Sequence, residues 1–269
     1  MESEILIRLS VFLAVFAVMA AWELFGPARR LVADKPRRWL TNWTIVALDT
    51  VVVRLLFPAA AVGAALDAEA QGWGLLHLLD APYWLAFLVS LLVLDLAIWA
   101  QHLVFHKVPL LWRLHRVHHA DRDVDVSTAI RFHPVEIALS MVIKIGVVYA
   151  LGAPALAVVL FEVILNGCAM FNHANIRLPA VVERPLRWLL ITPDLHRIHH
   201  SVHRREHDSN YGFSVSWWDR LFGTYTPDPE DGHEGMTLGL SEWQDDRPTH
   251  LLWTLRNPFL PRRRRTPAE

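Results

Sequence analysis

The sequence predicts an all-α integral membrane protein whose transmembrane helices carry a cytoplasmic helical cap rich in histidine. About four transmembrane helices are expected, with a helical hairpin either among them or in addition. Three observations support this. Apolar residues make up 53% and charged residues 20% of the chain, with mean hydropathy +0.26, whereas soluble domains average about 25% charged residues. Several apolar runs approach the roughly 20 residues that cross a bilayer. Most of the 15 histidines lie between positions 102 and 207.

Composition also excludes some classes of protein. The formal net charge is −1, from 26 basic and 27 acidic residues, so the chain lacks the basic surface of a nucleic-acid-binding protein. Cys168 is the single cysteine, which rules out an internal disulfide scaffold.

The apolar runs predict the order of the spanning elements. Three of them are long enough to cross the membrane as single helices, namely residues 5–25, 44–66 and 81–100. A fourth run, residues 135–171, is interrupted near its middle by Gly152 and Pro154. Glycine and proline together indicate a turn, so this run is predicted to form a helical hairpin.

Loop charges predict the orientation. Residues 29–38 contain five lysine and arginine side chains, whereas residues 67–80 contain neither residue type. Since basic loops stay on the cytoplasmic side, the N-terminus is predicted to face outward, with residues 101–134 and 172–269 in the cytoplasm. The arginine run at 262–265 agrees with that orientation.

Two charges inside the predicted hairpin should lie at a similar depth. Lys144 precedes the turn by about as many residues as Glu162 follows it, and each residue adds 1.5 Å along a helix. An unpaired charge at the bilayer centre costs at least about 2.5 kcal/mol. Lys144 is therefore predicted either to approach Glu162 or to extend alone toward the interface.

Three short motifs contain most of the histidines. His102 and His106 form the first, and the pattern His-x-x-His-His occurs at 115–119 and again at 196–200. Residues three or four apart share one helix face, with Cβ atoms about 5–6 Å apart, so each motif can present several imidazoles to one ion. One such pair is commonplace, but three motifs indicate metal binding, because imidazole is a common ligand of iron, zinc, copper and nickel.

The number of histidines predicts two ions. The three motifs and His173 supply nine ligands, four or five for each ion: His102, His106, His115, His118, His119, His173, His196, His199 and His200. His133 is either a tenth ligand or a structural histidine beside Pro134. Asp95 and Asp194 either orient a ligand ring through its second nitrogen or have ordinary helix-end roles.

Longer motifs around these histidines resemble the fatty acid hydroxylase/sterol desaturase superfamily. They lie at residues 94–106, 109–112, 115–119, 131–134, 192–196, 208–212 and 218–225. The resemblance covers about residues 88–226, over half of the chain. One departure is Leu103, where many members of the superfamily have arginine; this position bears on the substrate subgroup and supplies no ligand.

The resemblance implies a membrane enzyme with two iron ions, O2 as co-substrate and a separate electron-donor protein. Its substrate would be a lipid such as a sterol, a fatty acyl chain or an alkyl-glycerol, which it would hydroxylate or desaturate. Iron is favoured because zinc has no redox chemistry, although other divalent metals can substitute, and catalysis is assigned to the metal centre alone. The expected parts are transmembrane residues 1–80, a catalytic domain at 81–226 and a cytoplasmic tail at 227–269, in a bacterial inner membrane or the endoplasmic reticulum.

Two other functions stay open from the residues themselves. A metal transporter or metal-binding membrane protein would also carry polar residues within its spans, although here the histidines are predicted to lie on one side of the membrane. A zinc-dependent membrane hydrolase would need a general base such as glutamate, and the sequence has no His-Glu-x-x-His motif.

Overall fold

A computed structural model describes residues 2–261, a range that is helical and contains isolated β-bridges but no strand. Its α-helices, numbered in chain order, are α1 Glu2–Phe25, α2 Lys35–Leu56, α3 Ala60–Gln71, α4 Leu75–Leu78, α5 Tyr83–Lys107, α6 Pro109–His119, α7 Pro134–Leu151, α8 Ala155–His173, α9 Ala180–Leu186, α10 Pro193–His199, α11 Arg204–His207, α12 Trp217–Leu221, α13 Gly232–Gly235 and α14 Leu251–Arg256. Short 3₁₀ helices occur at Val126–Ile130, Ser241–Trp243, Arg247–Thr249 and Asn257–Phe259. The arginine run at 262–265 lies outside the described residues.

Five helical segments are long and apolar enough to span a membrane. They are Arg8–Phe25, Lys35–Leu78, Tyr83–Lys107, Pro134–Leu151 and Ala155–His173. Large apolar side chains such as Leu24, Leu55 and Leu92 are exposed on their outer faces, as expected for helices surrounded by lipid. The predicted multi-pass helical fold is confirmed, with the hairpin arms as two of the five segments.

The second apolar run differs from the prediction. A single helix was expected over residues 44–66, but α2 begins at Lys35 and ends at Leu56, and α3 begins at Ala60. Pro58 lies in the break, and proline both lacks an amide donor and disfavours helical geometry in the residue before it. The separate α3 buries Ala61, Ala64 and Ala65 in a core shared with α5, α7 and α8.

The hairpin forms where the sequence predicted it. Gly152 ends α7 with a positive φ of 71°, which glycine adopts without steric penalty, and α8 begins at Ala155. Gly74 packs directly against this turn, and a Cβ on Gly74 would lie 2.1 Å from the nitrogen of Gly152. The two glycines therefore permit close packing between the hairpin turn and the segment before α4.

Lys144 and Glu162 meet between the hairpin arms. The Nζ atom of Lys144 lies 2.8 Å from Oε1 of Glu162, and both side chains are largely buried. Arg8 on α1 contacts the other carboxylate oxygen of Glu162. The predicted approach of Lys144 to Glu162 is confirmed, and α1 supplies a further cation that the sequence did not reveal.

The helix ends that bear histidine are joined to α1 and α2 by buried polar contacts. Arg38 on α2 donates from Nε to Asp121 at 2.7 Å and from Nη1 to Asp125 at 2.9 Å. On α1, Oε1 of Glu23 accepts the amide hydrogens of Val126 at 2.7 Å and Asn175 at 2.8 Å. The segments that follow His119 and His173 are thereby held against the N-terminal helices.

Candidate metal centre

All nine predicted ligands meet at one end of the long helices. Four helices carry them or end beside them: His102 and His106 on α5, His115, His118 and His119 on α6, His173 on α8, and His196, His199 and His200 on α10 and at its C-terminal boundary. Local sequence determines where the two short helices start, because Pro109 opens α6 and the Thr192 side chain caps α10 immediately before Pro193. Proline is favoured in the first helical turn because the missing amide would have no partner there.

The nine side chains separate into two groups. The five-histidine group contains His102, His106, His115, His119 and His199, and the four-histidine group contains His118, His173, His196 and His200. Within each group, one ring nitrogen from every member lies within 4.8 Å of the others, and every member is buried. This spacing allows each group to surround one ion.

Four rings are oriented by main-chain carbonyl groups. The Nδ1 atoms of His102 and His199 donate to the carbonyls of Tyr211 at 2.7 Å and Ser209 at 2.6 Å. In the same way, His173 donates to Ala169 at 2.7 Å, and His118 donates to Arg131 at 3.2 Å. A carbonyl oxygen can only accept, so each of these rings carries its proton on Nδ1 and leaves the Nε2 lone pair free to bind a metal.

His115 has a different partner, which the sequence analysis missed. Its Nδ1 lies 2.6 Å from Oε1 of Glu136, a buried carboxylate in the first turn of α7. A carboxylate in this position fixes the ring and increases its basicity toward a metal. The available signal was an acidic residue just inside an apolar run, two positions after Pro134.

Unsatisfied nitrogens within the groups fit a metal ligand set. The Nε2 atoms of His106, His119, His199 and His200 are buried and have no hydrogen-bond partner among residues 2–261. Elsewhere, Nε2 atoms face one another without an intervening donor, with His102 and His115 3.1 Å apart and His173 and His118 3.1 Å apart. Buried polar atoms are normally paired, and convergent lone pairs are stabilised by a shared cation.

Burial keeps these rings neutral, the form that binds metals. It lowers the pKa of His115 to about 3. Burial is also the main cause of the lowered pKa values of five other histidines in the cap, and neighbouring histidines add to the effect: His118, His119, His196, His199 and His200. A cluster of protonated imidazoles would be repelled by its own charge as well as desolvated.

Three other predicted residues lie outside the two groups. His133 lies outside both groups, and both of its ring nitrogens have other partners, the Val135 amide and the Leu255 carbonyl at 3.2 Å. Asp95 accepts from the indole of Trp218 at 2.8 Å and does not contact the His102 ring.

Asp194 likewise contacts another residue. It forms an ion pair with Arg197 at 2.5 Å in the first turn of α10. Among the described residues, neither aspartate therefore has a hydrogen bond to a ligand imidazole.

A cavity of about 370 Å³ lies between the spanning helices and reaches the five-histidine group. His102 and His115 form its wall at that end. Apolar side chains from α1, α2, α5 and α7 line much of the remainder, including Phe12, Val46, Ile98 and Met141. The mostly apolar lining suits an alkyl chain or another apolar molecule.

A second cavity approaches the same group from the side away from the spans. It has a volume of about 420 Å³ and is lined by polar and charged residues, including Arg204, His207 and Glu242. His106 lies in its wall. Neither lining includes a member of the four-histidine group.

Comparison with known proteins gives one family and several lipid-modifying relatives. The model of the fatty acid hydroxylase family matches residues 87–224. The alkylglycerol monooxygenase of Xenopus tropicalis is 27% identical over 214 residues, which cover 76% of this chain and 45% of that protein.

Two further relatives carry different names. The ornithine lipid hydroxylase OlsE of Rhizobium tropici is 28% identical over 240 residues, covering 84% of this chain and 70% of that protein. Cholesterol 25-hydroxylase of Rattus norvegicus is 28% identical over 141 residues, covering 51% of this chain and 45% of that protein. The chain thus spans about half the length of several curated relatives that it matches. No solved structure gives a significant match.

Proposed function

The chain belongs to the fatty acid hydroxylase family, and from that premise we propose that it is a membrane monooxygenase that hydroxylates a C–H bond of a lipid. The observation that carries this proposal is the gathering of nine buried histidines into two groups beside an apolar cavity between spanning helices. An alkyl C–H bond offers no acidic or electrophilic group for protein side chains to act on, so a redox cofactor must supply that chemistry.

We assign the ligands of two iron ions to these groups. One ion would be held by His102, His106, His115, His119 and His199, and the other by His118, His173, His196 and His200. Iron held there would activate O2, a reaction that zinc does not support. Electrons would come from a separate donor protein.

The side chains of the protein have three tasks in this proposal. Backbone carbonyls and Glu136 hold the ligand rings in a fixed tautomer, which lowers the reorganisation needed at the centre. The cavity presents a lipid chain to the side of His102 and His115. Its apolar walls keep water from the reacting carbon, so that positioning accounts for much of the protein's contribution.

The names of the relatives suggest the substrate class. An alkylglycerol, an ornithine lipid and a sterol share a polar group joined to a long apolar portion, and each enzyme is named for adding oxygen. We therefore propose hydroxylation of such an amphipathic lipid, with residues 81–226 as the catalytic unit. The histidine end would face the cytoplasm of a bacterial inner membrane or the endoplasmic reticulum, as the basic loop at 29–38 favours.

The test is incorporation of oxygen from ¹⁸O2 into lipids by the purified, iron-loaded chain with a chemical or enzymatic reductant. We expect a product heavier by one ¹⁸O atom, and His196→Ala should lose it while His250→Ala, an exposed histidine outside both groups, retains it. An unlabelled alkene would indicate desaturation, and lipid turnover without O2 would contradict the proposal. Ion flux across vesicles without lipid oxidation would favour the transporter alternative.

A further inference from the structure

The apolar cavity between the spanning helices contains a carboxyl group that neither the fold nor the metal centre explains. Asp49 lies on α2, is 5% exposed and forms part of the cavity wall. Its Oδ1 atom is buried and has no hydrogen-bond partner among the described residues. A carboxyl group in a spanning helix is costly when it has no partner, so its position calls for one.

Other acidic residues of the cavity have partners on the protein. Glu162 contacts Lys144 and Arg8, and Glu136 contacts His115. Asp49 shares its helix face with Val46 and Val53, three residues before it and four after it, and both also line the cavity. Asp49 thus lies between two apolar positions on this face of α2, and Thr50 and Arg54 of the same helix also line the cavity.

We propose that Asp49 binds a hydroxyl group of the lipid substrate and thereby places its apolar portion toward His102 and His115. The inference rests on the proposed function, because it names the substrate's polar group. A molecule that fills a mostly apolar cavity between spanning helices must itself be lipid-like. A hydroxyl group on that molecule would supply the hydrogen-bond donor that Oδ1 lacks.

The charges of the lining favour a neutral donor over an ammonium group. The described residues in the wall include three basic side chains, Arg8, Arg54 and Lys144, and three acidic ones, Asp49, Glu136 and Glu162. The three basic side chains would repel an ammonium group that entered the cavity. A hydroxyl group supplies a donor at no such cost.

A binding experiment that does not require turnover tests the inference. The probes are two matched pairs, 1-O-hexadecylglycerol with its 2,3-di-O-methyl ether, and cholesterol with cholesteryl methyl ether. Affinities are measured without O2 on the full-length, metal-loaded protein in lipid nanodiscs. The wild-type protein should bind the free hydroxyl lipid of at least one pair about ten- to a hundredfold more tightly, the usual range when loss of a partner leaves a buried polar atom unsatisfied. The preferred pair identifies a glycerol or a sterol hydroxyl.

The variants connect that preference to Asp49. Asp49→Leu should bind both lipids of the preferred pair within about threefold, whereas Asp49→Asn should keep most of the preference, because an amide oxygen still accepts. Thr44→Val is the matched control on α2, since the Thr44 hydroxyl already bonds the Leu40 carbonyl at 2.7 Å.

The outcomes separate this inference from the proposed function. Equal wild-type affinity within both pairs would overturn the inference even if no variant could be purified, and so would an Asp49→Leu protein that keeps the full preference. A preference that depends on Asp49 supports the inference even if neither lipid is oxidised once O2 and reductant are added, a result that would count against the proposed function alone.

Discussion

The two histidine groups differ in what can reach them. The five-histidine group borders both cavities, through His102 and His115 on the membrane side and His106 on the opposite side. The four-histidine group borders neither, and it is enclosed by α6, α8 and α10. Two ions held here would therefore have unequal surroundings, one next to the lipid and the other shielded by protein.

The two groups also differ in the number of histidines that they contain. Loss of one imidazole leaves four in the first group and three in the second. The five-histidine group, which borders both cavities, thus has one histidine more than the enclosed group. The enclosed group has the four ligands of an ordinary structural metal site.

The largest predicted effect is loss of the enclosed ion. His200→Ala should reduce bound iron from two ions per chain to about one and abolish hydroxylation, because it removes one of the four imidazoles that enclose this ion. His106→Ala should keep close to two ions per chain, because four imidazoles remain in the five-histidine group, and should lose less activity than His200→Ala. Iron analysis with product assays measures both, and equal iron loss in the two variants would contradict the comparison.

A smaller effect is expected from the carboxylate that supports only one group. Glu136→Gln should lower the metal affinity of the five-histidine group by about ten- to a hundredfold, because His115 loses its carboxylate partner. The other group uses backbone carbonyls at His118 and His173 and should keep its ion. Metal titration of the metal-free variant should therefore give one weakened site, and two equally weakened sites would show that the groups are coupled.

The two groups should also differ in how fast a chelator removes their metal. A small water-soluble chelator can approach His106 through the polar cavity. The ion of the five-histidine group should therefore leave several-fold faster than the enclosed ion, which no cavity reaches. The time course of iron release should have two phases of similar amplitude. The variant His200→Ala should show only the faster phase, and a single phase in the wild type would oppose the distinction.

The smallest effect concerns a property that both groups share, neutral rings. Burial lowers the pKa of His115 to about 3, and the pKa of His118 and His196 also falls, whereas unfolded histidine has a pKa near 6.5. Below that pH the unfolded chain binds more protons than the folded one, so stability decreases as the pH falls. The melting temperature of metal-free protein should drop by several degrees from pH 8 to pH 5; a rise would contradict the assignment of buried neutral rings.

Much of the fold and of the centre was predictable from spacing. Repeated intervals of three and four residues identified the nine histidines that come together, and the Gly152 turn identified the hairpin. Partners that are distant along the chain were not predictable. Glu136 resembled an ordinary first-turn acid, and Asp95 was placed near His102 by helix register, whereas its actual partner is Trp218, 123 positions away.

Boundaries also escaped prediction where a break lies inside an apolar run. The hydropathy of residues 44–66 is continuous, and a single Pro58 separates α2 from α3. Whether each apolar half spans the membrane or packs against other helices depends on tertiary contacts, here those of the alanine face of α3. The residue spacing within the run does not reveal those contacts.

The contacts of Glu23 have a practical consequence for anyone wishing to express a minimal enzyme. This residue precedes the family-matched region, yet its carboxylate accepts amide hydrogens next to two separate histidine-bearing helices. A fragment starting at residue 81 would leave those amides without their acceptor and the connecting segments free to shift. Helix α1 should thus be retained in recombinant versions, even though its sequence holds no ligand.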